Sequence, residues 1–331
     1  MIELVIFTII LALTFDFWNG ANDAANSIAT VVSTRVLSPR VAVMWAAFWN
    51  FTAAFGFGVS IATTIGKGIV NPMIVDEFLI LGALVGAISW VVFATYLGLP
   101  ISASHSLIGG LLGAAIAKGG WMVVISEGII KVVAFIALAP LLGIVLGFFM
   151  MSGALRLTRN ATPKTVDSVS RRLQLVSAAL YSLGHGTNDA QKTMGIISVL
   201  LFATIYQGME FFVPIWVILS AHSVLALGTL VGGWRVVRTM GSKITKLRPI
   251  GGCCAETSGA ILLILTALGG IPASTTHTIA GSIMGVGTTR RLSAVRWGVA
   301  KKMVGAWIMT IPIASGVAAL TYLLIDMTIA I

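Results

Sequence analysis

NGANDAANSIATVVS (residues 19–33) sets an aspartate, Asp23, among Asn19, Asn22, Asn26 and Ser27 directly after an apolar run, and HGTNDAQKTMGIISV (residues 185–199) repeats its Gly-x-Asn-Asp-Ala core. A second pair follows: LPISASHSLIGGLLGAAIA (99–117) and IPASTTHTIAGSIMGVG (271–287) share Pro-x-Ser-x-x-His. The first pair is offset by 166 positions and the second by 172, so order and spacing agree over half the chain and a single duplication accounts for both. Internal repeats of this kind are the sequence mark of many membrane transport folds.

The composition agrees with a membrane protein. Of 331 residues, 57% are hydrophobic and 10% charged, against about 25% charged in soluble domains, and mean hydropathy is +1.00. Apolar stretches recur at 4–15, 41–66, 78–99, 129–151, 211–234, 259–271 and 303–325, near the roughly 20 residues that cross about 30 Å of hydrocarbon. Residues 1–15 lack a basic leader and a small-residue cleavage site, so the first helix is expected to stay. Cys253 and Cys254 are adjacent, and their side chains diverge in a helix or a strand, which disfavours a disulfide between them. The net charge of +10 reads as topology rather than as nucleic-acid binding.

Charge placement turns one half over relative to the other. Arg35 and Arg40 follow the first motif, while ATIYQGMEFF after the second has no basic residue. One helix on, the bias reverses: GKGIVNPMIVDEF carries one lysine, and RVVRTMGSKITKLR carries five basic residues. It reverses again between AKGGWMVVISEGIIK and TTRRLSAVRWGVAKK. The positive-inside rule then puts 17 of 21 basic residues in the cytoplasm and both termini outside. The expected fold is an all-α polytopic membrane protein of two inverted-topology repeats with broken or re-entrant helices and about 10–12 transmembrane segments. The first repeat is 1–152, a polar cytoplasmic linker is 153–174, and the second repeat is 175–331. Segments 78–117 and 250–289 leave and return to one face, either as full hairpins or as re-entrant pieces around Pro100 and Pro272.

Four acids lie in apolar surroundings: Asp16, Asp23, Asp189 and Glu256. Each costs about 2.5–3.5 kcal/mol on insertion scales, so such residues face a cavity, a partner or an ion. Asp23 and Asp189 are repeat mates and are expected to meet near the midplane, where two carboxylates repel unless a cation or proton lies between them. Hard oxygen ligands, Asp23 and Asp189 with Asn22 and Asn188, suit Na⁺, and no cluster has zinc spacing. Asn26 and Gln191 on the same motifs extend the cation set. No other cofactor is expected. The competing reading, an Asn-Asp cap on a broken helix, has to arise twice.

The Pro-x-Ser segments read as breaks after which half-helices begin. Ser102, Ser104, Ser274, Thr275 and Thr276 then surround exposed amides, and two such N-termini converging from inverted halves form an oxyanion cradle. His105 and His277 either carry protons or, as we favour, fix the half-helices through backbone hydrogen bonds. Lys192, the one basic residue in the motif segments, neutralises an acid, meets substrate or reaches outward from a helix end.

GANDAANSIATVVSTRVLSPRVAV, HGTNDAQKTMGIIS, PISASH and PASTTH resemble the inorganic phosphate transporter (PiT) family over essentially the whole chain. The resemblance implies symport of inorganic phosphate with Na⁺ or H⁺ across the plasma membrane, often by a homodimer in lipid. It implies cation and phosphate binding by Asn22, Asp23, Asn188 and Asp189, phosphate ligation by Ser102, Ser104, Ser274, Thr275 and Thr276, and a role for Glu256. Glutamates of sodium-coupled animal members are replaced here by Asn50 and Thr63, which leaves the coupling ion open. Another oxyanion such as sulfate is the nearest alternative substrate. An enzyme is disfavoured because no nucleophile–base pair stands outside the symmetric motifs.

Overall fold

In the computed structural model, which describes residues 2–56 and 58–329, the chain is built of helices, and among the described residues the only β-type pairing is an isolated bridge between Val70 and Val124. The first half holds α1 (Ile2–Ser33), α2 (Pro39–Thr52), α3 (Ser60–Gly68), α4 (Glu77–Leu97), α5 (Ala103–Gly119) and α6 (Ser126–Leu157). The second holds α7 (Pro163–Thr204), α8 (Ile215–Val231), α9 (Trp234–Arg238, continued by a π turn to Lys243), α10 (Pro249–Leu268), α11 (Thr275–Thr288) and α12 (Trp297–Ile329).

Local signals in the sequence set the ends of these helices. Asp76 caps α4 by accepting from Leu79 N at 2.8 Å, and Pro39, Pro163 and Pro249 open α2, α7 and α10 with their fixed φ. At the far ends of α4 and α10 the chain turns through left-handed glycines, Gly98 (φ 70°) and Gly270 (φ 64°). Leu99 N then bonds Ala94 O and Ile271 N bonds Thr266 O, each at 2.9 Å, the same closing turn used twice.

Among the described residues, α1, α4, α6, α10 and α12 are each long and apolar enough to span a bilayer, and the bent pairs α2–α3 and α8–α9 raise the number from five to seven. The expected ten to twelve segments therefore include elements of other kinds. At 17 and 14 residues, α5 and α11 reach roughly 26 and 21 Å, short of the ~30 Å core, as re-entrant half-helices would. The 42-residue α7 is long enough, at roughly 63 Å, but carries the second polar motif at its middle. Most of the linker 153–174 is helical: only residues 158–162 break, where Thr162 caps α7 and accepts from Thr165 N at 3.3 Å.

The halves exchange their last helices. α6 packs on α11 and α10 of the second half, and α12 packs on α5 and α4 of the first. Small residues permit this closeness: a Cβ at Gly113 would lie 2.1 Å from Ser315 O, and one at its repeat mate Gly285 2.1 Å from Ile144 O. Outwardly, α6 and α12 are bare, with only 22% of their apolar windows buried in the molecule, and present that face to lipid.

Candidate functional site

α1 and α7 pack against each other, and each carries its Gly-x-Asn-Asp-Ala motif within an unbroken helix. The aspartates consequently do not cap a break. Asp23 and Asp189 are 2% and 0% exposed and meet through one hydroxyl: Thr275 Oγ1 lies 3.1 Å from Asp23 Oδ2 and 3.2 Å from Asp189 Oδ2. The two half-helices start beside them. Ser102 and Ser274 are the N-caps, accepting from His105 N at 3.2 Å and His277 N at 3.3 Å, so both prolines stand just outside the helices. The first-turn amides of Ala103, Ser104, Thr275 and Thr276 have no partner within their helices.

Lys192 ties the two starts together. Its Nζ donates to Asp189 Oδ1 at 2.6 Å, to Ala273 O at 3.1 Å just before α11, and to Ser104 Oγ in the first turn of α5. Of the alternatives for this residue, the structure places it on an acid and deep inside, 1% exposed. Across from it, Thr276 Oγ1 bonds Ile101 O at 2.9 Å and lies 3.4 Å from Asp23 Oδ1, and Asn26 Nδ2 donates to Thr276 Oγ1 at 2.9 Å.

A histidine completes the cluster. His185 lies one turn before Asp189, and its Nε2 is 3.0 Å from Asp189 Oδ2, off the line of a hydrogen bond. Its state follows from a chain of donors. Thr229 Oγ1 gives its proton to Leu225 O at 2.9 Å, so it accepts from Asn50 Nδ2 at 3.0 Å. Asn50 Oδ1 then faces His185 Nδ1 at 3.1 Å as an acceptor, so Nδ1 carries a proton. Nε2 has no hydrogen-bond partner of its own, which leaves its lone pair as a ligand beside the carboxylates. Ligand atoms of Asp23, His185 and Asp189 all lie within 4.8 Å of one another. These oxygens and this nitrogen can hold a cation, and the hydroxyls, amides and ammonium around them can hold an anion.

A model of the phosphate transporter family matches residues 19–318. Over 324 residues the chain is 54% identical to a protein of Rhizobium meliloti (strain 1021) named probable low-affinity inorganic phosphate transporter, spanning 98% of this chain and 97% of that one. The chain belongs to the phosphate transporter family. Another such protein, from Bacillus subtilis (strain 168) and bearing the same name, is 40% identical over 99% of this chain and 98% of its own length. A solved structure described as the sodium-dependent phosphate transporter superposes with a TM-score of 0.89 at 26% identity, covering 98% of this chain and 99% of that one. The relatives are named as transporters, not enzymes, and this family member is a multi-pass plasma-membrane protein.

Not every motif residue of this family member joins the carboxylate pair. Gln191 Oε1 instead accepts from Ile61 N at 2.9 Å and Ala62 N at 3.4 Å, capping α3 from across the molecule. Glu256 stands in a cluster of its own, accepting from Thr30 Oγ1 (2.5 Å), Gln174 Nε2 (2.9 Å) and Ser177 Oγ (2.5 Å), and shares no hydrogen-bond partner with either aspartate. Asn22 Nδ2 donates to Thr95 Oγ1 at 2.7 Å and Asn188 Nδ2 to Leu263 O at 2.8 Å, leaving each Oδ1 without a partner. Asp16, two turns before Asp23, is fully buried with both carboxylate oxygens unpaired. Thr63 is exposed on α3. His277 meets Ile136 O at 3.3 Å and stacks 3.9 Å from Trp307, the bracing role favoured from the sequence, whereas His105, 4.9 Å from it, packs against its ring with Nδ1 unpartnered and does not make the backbone bond expected of it.

Four participants escaped the reading of the sequence. His185 had a signal, since residues four apart share a helix face. Asn50, which orients it, had one only as a departure from the family pattern. The carbonyls of Ile101 and Ala273 had none, because backbone groups carry no residue signature.

Proposed function

We propose that this chain is a secondary active symporter of inorganic phosphate, driven by Na⁺ or H⁺, with one site between its repeats that opens to each face in turn. The observation carrying this reading is the convergence of two half-helix N-termini on a buried pair of aspartates bridged by Thr275. An anion-attracting cradle built against two carboxylates makes sense only if a cation binds with the anion. Phosphate would take the hydroxyls of Ser104, Thr275 and Thr276, the free first-turn amides and the remaining hydroxyl protons of Ser102 and Ser274. Asp23, Asp189 and His185, with Asn26 beside them, would hold the cation.

Asn22 and Asn188 fit the site as acceptors. Their amide nitrogens are engaged and their oxygens free, which suits a cation or a protonated phosphate oxygen rather than an anionic one. Sulfate has no such proton at neutral pH and would leave these acceptors unpaired, which gives selectivity against it. Gln191 and Glu256 act as braces, the first holding α3 and the second joining α10 to α1 and α7. Because both aspartates are sealed from solvent in this conformation, transport requires the repeats to move against each other.

Phosphate uptake into proteoliposomes under separate Na⁺ and H⁺ gradients tests the proposal. One gradient is expected to drive accumulation, unlabelled sulfate to compete weakly, and Asp23→Asn to abolish accumulation while inserting normally. Full uptake by inserted Asp23→Asn protein would refute the cation-coupled site.

A further inference from the structure

The two cation cages of the site are copies of each other with different occupants. Lys192 Nζ is held by Asp189 Oδ1, Ser104 Oγ and Ala273 O. Applying the repeat offsets, subtracted from Lys192, Asp189 and Ala273 and added to Ser104, converts these four residues into Asn26, Asp23, Ile101 and Thr276, since the Pro-x-Ser segments trade places between halves. That mirror set is also assembled in space: Asn26 Nδ2 on Thr276 Oγ1, Thr276 on Ile101 O, and Asp23 Oδ1 beside Thr276. Each cage offers a carboxylate, a hydroxyl and a backbone carbonyl, the hard oxygens that bind a small monovalent cation. In one, a tethered ammonium sits among the three oxygens. In the other, an asparagine replaces the lysine and its Oδ1 has no partner.

We propose that Lys192 is a built-in cation that permanently fills one of two symmetric cation sites, so that only the Asp23 side binds a mobile coupling ion. This rests on the symport reading above and refines its stoichiometry. Two observations carry it beyond symmetry. Lys192 is the only buried Lys or Arg among the described residues, and a lysine at membrane depth is expensive unless it replaces something the site needs. Two carboxylates and one ammonium, with Nε2 of His185 left as a ligand, also leave a single formal negative charge, which one monovalent cation neutralises before phosphate arrives. A free Na⁺ in each cage plus Lys192 would overcharge the empty site and put two cations among the three oxygens that already hold the ammonium.

The test uses the full chain in proteoliposomes and the variant Lys192→Asn, which copies the Asn26 side. Wild type is expected to bind at most one radiolabelled Na⁺ per chain. Without Na⁺, Lys192→Asn is expected to lose phosphate uptake by about 100-fold, because the Asp189 carboxylate is left unpaired. Added Na⁺ is expected to restore it, with one more Na⁺ bound per chain than in wild type. A folded Lys192→Asn protein whose uptake is unchanged, or stays lost at every Na⁺ concentration with no additional Na⁺ bound, overturns the proposal. If the variant does not insert, wild type alone decides: two Na⁺ per chain overturns it, and one or none supports it. Wild type that moves no phosphate under either gradient would instead defeat the symport reading, and the Na⁺ counts would still judge Lys192.

Discussion

Asp23 and Asp189 occupy the same place in two copies of one motif, equally buried, yet Asp189 is in contact with an ammonium and an imidazole while the hydrogen-bond partners of Asp23 are the hydroxyls of Thr275 and Thr276. The duplication kept the helix breaks, the glycine contacts and the cage oxygens of both halves alike. What diverged is a side chain about a turn to either side of the aspartate, Lys192 against Asn26 and His185 against Asn19. Packing has to satisfy the same geometry in both halves, whereas the chemistry has to satisfy a charge total, and one lysine alters that total without altering the fold.

The comparison breaks most visibly at the carboxylates. Asp189→Asn leaves a buried ammonium without its partner and is expected to cost about 3–5 kcal/mol, whereas Asp23→Asn removes an acid with no cationic partner and is expected to change stability by under about 1 kcal/mol. Thermal unfolding of the detergent-solubilised variants reads the difference, and the double variant Asp189→Asn/Lys192→Asn should recover most of the loss. Equal melting temperatures for the two single variants would mean that the Lys192 pair is not what separates the halves.

Elsewhere the halves should respond alike. Gly113→Ala and Gly285→Ala each drive a methyl against a carbonyl oxygen, of Ser315 and Ile144, and each is expected to cost about 1–3 kcal/mol through overpacking. A large loss in one and none in the other would show that the exchanged helices are not equivalently seated. The smallest effect is expected at the caps. Ser102→Ala and Ser274→Ala remove matching N-cap bonds and should each cost about 1 kcal/mol, measured in the same unfolding assay.

The fold class was legible because a bilayer leaves few choices: twenty apolar residues and an internally satisfied backbone dictate helices. The motif duplication made the site legible for the same reason, since Asp23 and Asp189 at membrane depth need an explanation that Thr63 does not. Gln191 and Glu256 were harder to place. Their motifs put them near the aspartates in sequence, but Gln191 turns to the start of α3, and Glu256 faces Thr30, Gln174 and Ser177.

By itself the sequence determined a duplicated, inverted helical membrane protein with two acids, two half-helix starts and one lysine in its motifs, because periodicity, charge and repeat spacing are local properties. Only the tertiary structure decided that α6 and α12 change sides, that His185 joins Asp189, and that Lys192 sits in a cage whose other walls are Ser104 and the carbonyl of Ala273. Those walls come from chain segments more than 80 residues away from Lys192, and one of them is backbone, so no pattern of side chains could have announced them.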